Sequence, residues 1–156
     1  MSTMETLCIN SPVGKLTLFA ENAEITALCW GHGAEAPFTT TCKVLLLAEK
    51  LLAAYFKSGQ SNFSGLALAP HGTPFQNRVW REMSKIKSGK TKSYGQIAKT
   101  LKSGPRAVGG ACAANPIPLL IPCHRILNAD GKIGHYSGGE GQATKAFLLR
   151  LEGAID

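Results

Sequence analysis

The chain has 156 residues, enough for one ordinary domain or two small ones, and its 44% hydrophobic and 17% charged residues exclude an intrinsically disordered protein. No apolar run approaches the ~20 residues of a membrane-spanning helix, and no secretory signal opens the chain. We therefore expect a cytoplasmic protein, or a nuclear one in a eukaryote, with no membrane partner. The net charge of +7 is unevenly spread: residues 74–156 hold thirteen basic and five acidic residues, whereas residues 1–73 hold four basic and five acidic ones. A basic half of this kind is typical of a polyanion-binding region or of a solvated basic face.

The first half of the chain predicts a small sheet and one helix. Residues 7–30 alternate as strands do, and the stretches 14–20 and 25–30 predict a hairpin. Apolar residues at helical spacing predict a helix over residues 40–56. The following stretch, about residues 57–73, is rich in Gly and Ser and predicts a linker. We expect an N-terminal α/β supporting domain over residues 1–65.

The second half, residues 74–156, predicts a mainly helical domain. Residues 73–76 and 93–96 each place a Thr or Ser three positions before a Gln, which is the pattern of a capped helix start. Pro105 begins a third helix, which must end near Asn115 because Pro116 follows. The short connection between the second and third of these helices is typical of a helix-turn-helix.

Two further elements complete the predicted domain. Residues 128–131 predict the turn of a hairpin, and apolar spacing predicts a last helix that ends near Glu152 and Gly153. The expected fold class is α/β (α+β), with a sheet-plus-helix domain followed by a winged helix-turn-helix-like domain.

The third predicted helix has an unusual surface for a DNA-reading element. After Arg106, residues 107–114 are Ala, Val, Gly, Gly, Ala, Cys, Ala and Ala, with no side chain that could read base edges. Small residues permit a close approach of the backbone to a neighbour. That neighbour is either another part of the protein or DNA that is bound without sequence readout.

Cys123 and His124 are the candidate reactive pair. The five cysteines are odd in number and irregular in spacing, so a disulfide framework is not expected and at least one thiol is available for chemistry. A thiolate is the reactive form of cysteine, and a neighbouring base or cation favours it. Adjacent residues of an extended segment point to opposite faces, so His124 acts on Cys123 through a turn or a bridging water.

The segment from Pro122 to Ile126 resembles the active-site motif of the O6-alkylguanine-DNA alkyltransferases, the methylated-DNA–protein-cysteine methyltransferases. The resemblance is strong over residues 73–154 and looser over residues 7–57. Further matches occur in the family's order at residues 106–111, 115–116, 136–139 and 148–153.

The resemblance implies a role for each matching residue. Cys123 is the alkyl acceptor, and His124 is its base, acting through water. Glu152 holds and polarises His124, Asn115 ties the third helix to the active-site segment, and Tyr94 donates a hydrogen bond to the guanine ring. The residues expected to contact DNA or the flipped base are Arg106, which fills the gap in the base stack, and Ser137, Tyr136, Ala107, Gly109, Gly110 and Arg125.

The implied activity is DNA repair by direct reversal. An alkyl group moves once, irreversibly, from O6 of a flipped guanine in duplex DNA to Cys123. O4-methylthymine and larger O6-alkyl groups stay open as substrates. We expect a monomer with no cofactor. We also expect no metal, since Glu21 stands where a zinc-binding relative would have a cysteine and Cys29-x-x-His32 has no evident partners.

Three alternatives remain at this point. A non-catalytic lesion-binding protein of the same fold would replace the acceptor cysteine, which is present here. A helix-turn-helix regulator would carry base-reading side chains on its third helix. A Cys-His hydrolase would need an oxyanion hole, for which no motif is evident.

Overall fold

A computed structural model describes residues 4–60 and 62–156 of the chain. Its N-terminal part is a three-stranded antiparallel sheet in the order β1 (Met4–Ile9), β2 (Leu16–Glu21) and β3 (Glu24–Trp30). The turn between β2 and β3 has positive φ at both Asn22 and Ala23, as the right-handed twist of a two-residue hairpin requires. The predicted hairpin is thereby confirmed.

Helix α1 (Lys43–Ser58) covers one face of this sheet. Its buried residues are Leu45, Ala48, Leu52 and Tyr55, which lie on one side of the helix because they are spaced three or four apart. The helix ends at Gly59, whose φ of 74° is the left-handed cap that glycine adopts without strain. The predicted helix is confirmed, but it begins three residues later and ends two residues later than predicted.

The stretch predicted as a linker is partly docked on the sheet. Leu68 forms a bridge with Ile25 of β3, and Ile25 exchanges two backbone hydrogen bonds of 2.8 Å with Ala67 and Ala69. β3 is an edge strand with unpaired N–H and C=O groups, so an extended neighbour satisfies them. Gly and Ser content alone did not reveal this pairing.

Three helices build the second half: α2 (Pro74–Ser84), α3 (Tyr94–Thr100) and α4 (Pro105–Ala113). Both predicted capping boxes are present, with Gln76 and Gln96 each bonded reciprocally to the cap residue. α4 packs on both α2 and α3, and only four residues separate α3 from α4. This is the predicted helix-turn-helix arrangement.

The hairpin predicted around residues 128–131 is wrong in part. The turn exists, since Gly131 N–H donates to the Asn128 carbonyl over 2.9 Å. The strand before it, β5 (Ile126–Leu127), pairs in parallel with β4 (Lys92–Ser93), and no second strand follows the turn within the described residues. Gly134, at φ 72°, breaks the extended backbone that such a strand would need.

The last helix, α5 (Gln142–Leu151), returns the chain to the core and ends one residue before Glu152. Buried side chains from the sheet, α1, α2, α4 and α5 form one continuous hydrophobic cluster. Within residues 4–60 and 62–156, no helix is long and apolar enough to cross a membrane.

Candidate active site

Asn115 connects the end of α4 to the segment that carries Cys123. Its side-chain amide donates to the Ile121 carbonyl over 2.9 Å, and its oxygen accepts from the Ile117 N–H over 3.0 Å. These two bonds fix the path of the buried residues 117–121, which lead directly into Cys123. The position matches the linking role that the sequence predicts for Asn115.

Cys123, His124 and Arg125 form a single 3₁₀ turn, and all three are buried. A turn rather than an extended segment therefore separates the thiol from the imidazole. His124 Nε2 lies 2.6 Å from Glu152 Oε2, and both side chains are almost fully buried. The structure thus brings together the predicted base and the residue predicted to orient it.

Glu152 is the centre of a closed cluster of donors, which we call the carboxylate cluster. Besides His124, it accepts from Tyr55 Oη at 2.5 Å, from Arg125 Nε at 2.8 Å and from the Gly89 N–H at 3.4 Å. Burial by itself would raise the pKa of Glu152, but hydrogen bonds from His124, Arg125 and Tyr55 outweigh it and lower the pKa to about 2. The carboxylate is therefore ionised and can only accept hydrogen bonds.

The ionised carboxylate decides the state of His124. Because Glu152 accepts, Nε2 of the imidazole carries the hydrogen. Burial lowers the pKa of His124 and outweighs the hydrogen bond and charge of Glu152, which raise it, while the Arg125 charge lowers it further. The ring is thus neutral near pH 7 with a bare Nδ1. No group of the described chain hydrogen bonds to that buried nitrogen, which leaves it free to accept a proton.

Arg125 does not occupy the place that the sequence predicts for it. The side chain is 5% exposed, and its guanidinium donates to Glu152, to the Ile86 carbonyl at 2.6 Å and to Ser88 Oγ at 3.0 Å. Four of the five guanidinium N–H groups thus donate inside the protein, and the side chain is too buried to reach DNA. The prediction of a DNA or substrate contact is therefore corrected: Arg125 compensates the buried charge of Glu152.

The thiol of Cys123 faces a different environment. It lines a cavity of about 120 Å³ beside α4. Burial raises the pKa of the thiol, whereas a hydrogen bond from Asn115 and the positive charge of Lys145 act to lower it. The resting thiol is protonated, so its reaction needs a base. The other residues around this cavity are Tyr94, Gly109, Cys112, Ala113, His135, Tyr136 and Ser137.

Two tyrosines at this cavity are available as hydrogen-bond donors. Burial raises the pKa of Tyr94 to about 12, and burial likewise raises the pKa of Tyr136 well above 10.0. Both hydroxyls are therefore protonated near neutral pH. Tyr136 Oη is buried and has no hydrogen-bond partner in the described part of the chain. The hydroxyl hydrogen of Tyr136 is therefore unused within the described protein.

The exposed side of α4 is smooth. Arg106, Ala107 and Gly110 are exposed, and Gly109 is half-buried at the edge of the cavity. A Cβ added at Gly109 or Gly110 would meet no atom within 4 Å. These glycines therefore serve no close contact inside the described protein. This favours the second of the two interpretations of the small residues, in which a molecule such as DNA approaches the helix from outside.

Comparisons with known proteins show the family of the chain. The model of the 6-O-methylguanine DNA methyltransferase DNA-binding domain matches residues 74–154. A methylated-DNA–protein-cysteine methyltransferase of Haemophilus influenzae is 36% identical over 153 residues, covering 91% of this chain and 82% of its own. One from Metallosphaera sedula is 37% identical, covering 93% and 90%. The chain belongs to the methylated-DNA–protein-cysteine methyltransferase family.

Solved structures extend the agreement to the fold. The Mycobacterium tuberculosis O6-methylguanine methyltransferase superposes with a TM-score of 0.81 at 33% identity, over 99% of this chain and 95% of that one. Mycobacterium tuberculosis OGT in complex with DNA gives 0.81 at 36% identity, over 96% and 93%. The fold expected from the sequence is confirmed as that of methylated-DNA–protein-cysteine methyltransferases.

Within this methyltransferase fold, Tyr55 and Lys145 are among the residues of the site that sequence reasoning missed. Tyr55 comes from α1, yet it hydrogen bonds to Glu152, 97 positions later in the chain. Lys145 is fully buried in α5, donates to the His135 carbonyl at 3.3 Å and lies 6.0 Å from the centre of the Tyr94 ring. A lysine within an apolar helix face was a usable signal for Lys145, since lysine is almost never fully buried without a partner.

Proposed function

We propose that this methyltransferase moves an alkyl group from O6 of guanine in duplex DNA onto Cys123, once per chain. The observation that carries the proposal is the arrangement around Cys123. Its buried thiol lines a cavity with two tyrosine hydroxyls, and the next residue is a neutral imidazole with a bare nitrogen held by an ionised carboxylate. This is the nucleophile, base and orienting group of covalent catalysis.

The chemical step follows from these protonation states. The Sγ–H proton of Cys123 passes to Nδ1 of His124 through a bridging water, and Sγ then bonds to the alkyl carbon. The bond between that carbon and O6 breaks, and its electron pair stays on the guanine ring. Guanine takes up one proton, which balances the proton lost by the thiol. Tyr94 donates a hydrogen bond to the ring as charge develops on it.

Lys145 supports the same step from the other side of the cavity. A buried positive charge favours the thiolate over the thiol and so lowers the energy of the attacking form. The Lys145 pKa is itself lowered by burial and raised by the two thiols near it. Lysine and thiolate thus stabilise each other during the reaction.

The exposed side of α4 is the part that meets DNA. A base within a duplex cannot reach a buried thiol, so the nucleotide must leave the stack. Small residues at 107, 109 and 110 let the helix lie in the minor groove, and Arg106 occupies the space that the flipped base leaves. Ser137 and the neighbouring backbone contact the O6 edge of the base. The basic second half of the chain makes this binding dependent on salt.

The product explains why the protein acts only once. A thioether has no good leaving group and no bond that water cleaves readily. Cys112, which also lines the cavity, has a pKa that burial raises to about 12, so it does not supply a thiolate to remove the alkyl group. We propose a monomeric, cytoplasmic protein that requires no cofactor and is consumed by each repair.

Intact-mass measurement after incubation with duplex DNA containing O6-methylguanine tests the proposal. We expect a gain of one methyl group per chain, located on Cys123 by peptide mapping. Repaired guanine should stop at one equivalent of protein. A protein that binds the lesion without gaining mass would be a lesion-binding relative, and repeated turnover would indicate a hydrolase; either result would refute the proposal.

A further inference from the structure

Strand β3 of the N-terminal sheet touches the active-site region at two places. The Leu28 N–H donates to the Pro116 carbonyl over 3.0 Å, just beyond the end of α4. At the end of the strand, the Trp30 side chain reaches residues 135–139, which we call the substrate loop because Tyr136 and Ser137 line the cavity of Cys123. β3 is therefore a direct support of the site, provided by the half of the chain that carries no acceptor.

Trp30 holds the substrate loop through two contacts. Its ring meets the ring of Tyr136 edge-on, with the ring centres 6.1 Å apart at an angle of 81°. Its indole also lies directly against the backbone of Gly138. A Cβ added at Gly138 would overlap the indole and lie 2.6 Å from Cζ2. The φ of Gly138 lies outside the left-handed region, so its backbone conformation does not require glycine. Glycine is needed here because the indole of Trp30 leaves no room for a Cβ.

A second cavity, of about 330 Å³, lies between β3 and the acceptor residue. Trp30 and Cys123 both line it, together with Tyr136 and Gly138. This cavity and the one beside α4 share Cys123, Tyr136 and Ser137 in their linings, so the substrate loop borders open space. Trp30 is the largest side chain that β3 contributes to this lining, and its contacts with Tyr136 and Gly138 limit how far the loop can move.

We propose that Trp30 is a positioning residue for alkyl transfer: it fixes the substrate loop, and with it Tyr136 and Ser137, relative to Cys123. The inference rests on the proposed function, since it concerns the placement of the same base. It assigns the N-terminal sheet a part in the rate of transfer. Because misplacement of a substrate by about 1 Å can cost 100-fold in rate, a modest loosening of the loop is measurable.

A double-mutant cycle on Trp30 and Gly138 tests this proposal. Single-turnover transfer from duplex DNA containing O6-methylguanine is measured for wild type, Trp30→Leu, Gly138→Ala and the double variant. We expect Trp30→Leu to lower the limiting rate constant about fivefold and Gly138→Ala to lower it about tenfold. In the Trp30→Leu background, Gly138→Ala should cost no more than about twofold, since the obstructing indole is gone.

The half-saturating DNA concentration separates positioning from binding. It should stay within about twofold of wild type in all four proteins, because the exposed side of α4 is unchanged. Trp30→Phe should recover most of the rate, as a smaller ring still meets Tyr136. Phe38→Leu, which alters an exposed ring of the same half (49% exposed), is the matched control and should leave both constants unchanged.

The outcomes distinguish the inference from the proposed function. Independent effects of the two substitutions on the limiting rate constant would overturn the role of Trp30. So would coupling seen only in the melting temperature, because Trp30 would then serve stability alone. If the wild-type protein itself transferred no methyl group, the proposed function would be refuted, and the role of Trp30, which rests on it, would be refuted as well.

Discussion

The 3₁₀ turn at residues 123–125 separates two contrasting surroundings. On one side, Cys123 lines a cavity together with Tyr136, whose buried hydroxyl has no partner among the described residues. On the other side, Glu152 accepts hydrogen bonds from His124, Arg125 and Tyr55. The Tyr136 hydroxyl of the first region has no hydrogen-bond partner among the described residues, whereas both oxygens of the Glu152 carboxylate in the second region accept hydrogen bonds.

The contrast follows from what each region must do. A group that reacts needs space for a partner and hydrogen-bonding capacity in reserve. A group that orients another must not move, and a buried charge is tolerated only when it is paired and hydrogen bonded. Substitutions on the cavity side should therefore change rate with little effect on stability, and those in the carboxylate cluster should change both.

The largest effect is expected at the thiol itself. Cys123→Ser should abolish transfer and leave DNA binding nearly intact, because a hydroxyl occupies similar space but is hardly ionised near neutral pH. Intact mass reports transfer, and gel shift with methylated duplex reports binding. The matched control is Cys29→Ser at an exposed cysteine, which should gain one methyl as wild type does. A methyl group found on any cysteine other than Cys123 would contradict this assignment.

Glu152→Gln should affect both rate and stability. Transfer should slow by about 100-fold as the base loses its orienting charge, and unfolding should become easier by roughly 3 kcal/mol because buried Arg125 loses its partner. Urea unfolding and single-turnover rates measure the two effects. Glu140→Gln, at an exposed acid, is the control. If the variant were as stable as wild type, the carboxylate would not be the centre of the cluster.

The same variant tests how Glu152 contributes to the pH dependence of stability. The pKa of Glu152 is about 2 in the folded chain against 4.5 for an ordinary glutamate. Its ionised form therefore stabilises the fold by roughly 3 kcal/mol above pH 4.5, and this contribution is lost as the pH falls towards 2. In Glu152→Gln, the part of the acid destabilisation that comes from this group should be absent.

Lys145→Met removes a buried charge from the cavity side. We expect the transfer rate at pH 7 to fall about tenfold, because the thiolate of Cys123 loses a stabilising cation. The deficit should shrink as the pH approaches that at which the thiol ionises unaided. Stability should not decrease, since a buried ammonium is replaced by an apolar side chain of similar length. Lys132→Met, at an exposed lysine, is the control; a uniform deficit at every pH would contradict the electrostatic role.

Arg106→Ala should discriminate between two substrates. Repair of O6-methylguanine in duplex DNA should slow by about tenfold, because unstacking a base costs a few kcal/mol and the arginine offsets part of it. Reaction with the free base O6-methylguanine should change by less than about twofold, since no stack is opened. Single-turnover rates on both substrates decide the matter, and equal losses would refute the proposed role.

The smallest effect is expected from metal removal. His32 Nε2 donates a hydrogen bond to the Ala36 carbonyl over 2.7 Å, and the described residues contain no group of three or more His, Cys, Asp or Glu placed to hold a metal. Transfer should therefore be unchanged after exhaustive chelation with a strong zinc chelator. Activity that is lost on chelation and restored by added zinc would show that the chain depends on a metal.

Local sequence determined most of the secondary structure and was enough to propose the reacting residue. The capping boxes at Thr73 and Ser93 need only residues three apart, so the starts of α2 and α3 are fully specified by the sequence. Cys123, His124 and Glu152 were identified through resemblance of short ordered motifs. The hairpin expected around residues 128–131 failed because β5 found its partner in β4, more than 30 residues earlier.

Only the tertiary structure decided which side chains share an environment. Arg125 is two positions after Cys123 in sequence, yet the 3₁₀ turn directs it into the carboxylate cluster. Tyr55, Trp30 and Lys145 reach the site from α1, β3 and α5. Hydrogen bonds and ring contacts depend on distances in space, and periodicity along the chain reports only whether a residue is buried. The cysteine that we propose as the acceptor could therefore be selected from sequence, whereas the groups around it that influence its charge required the fold.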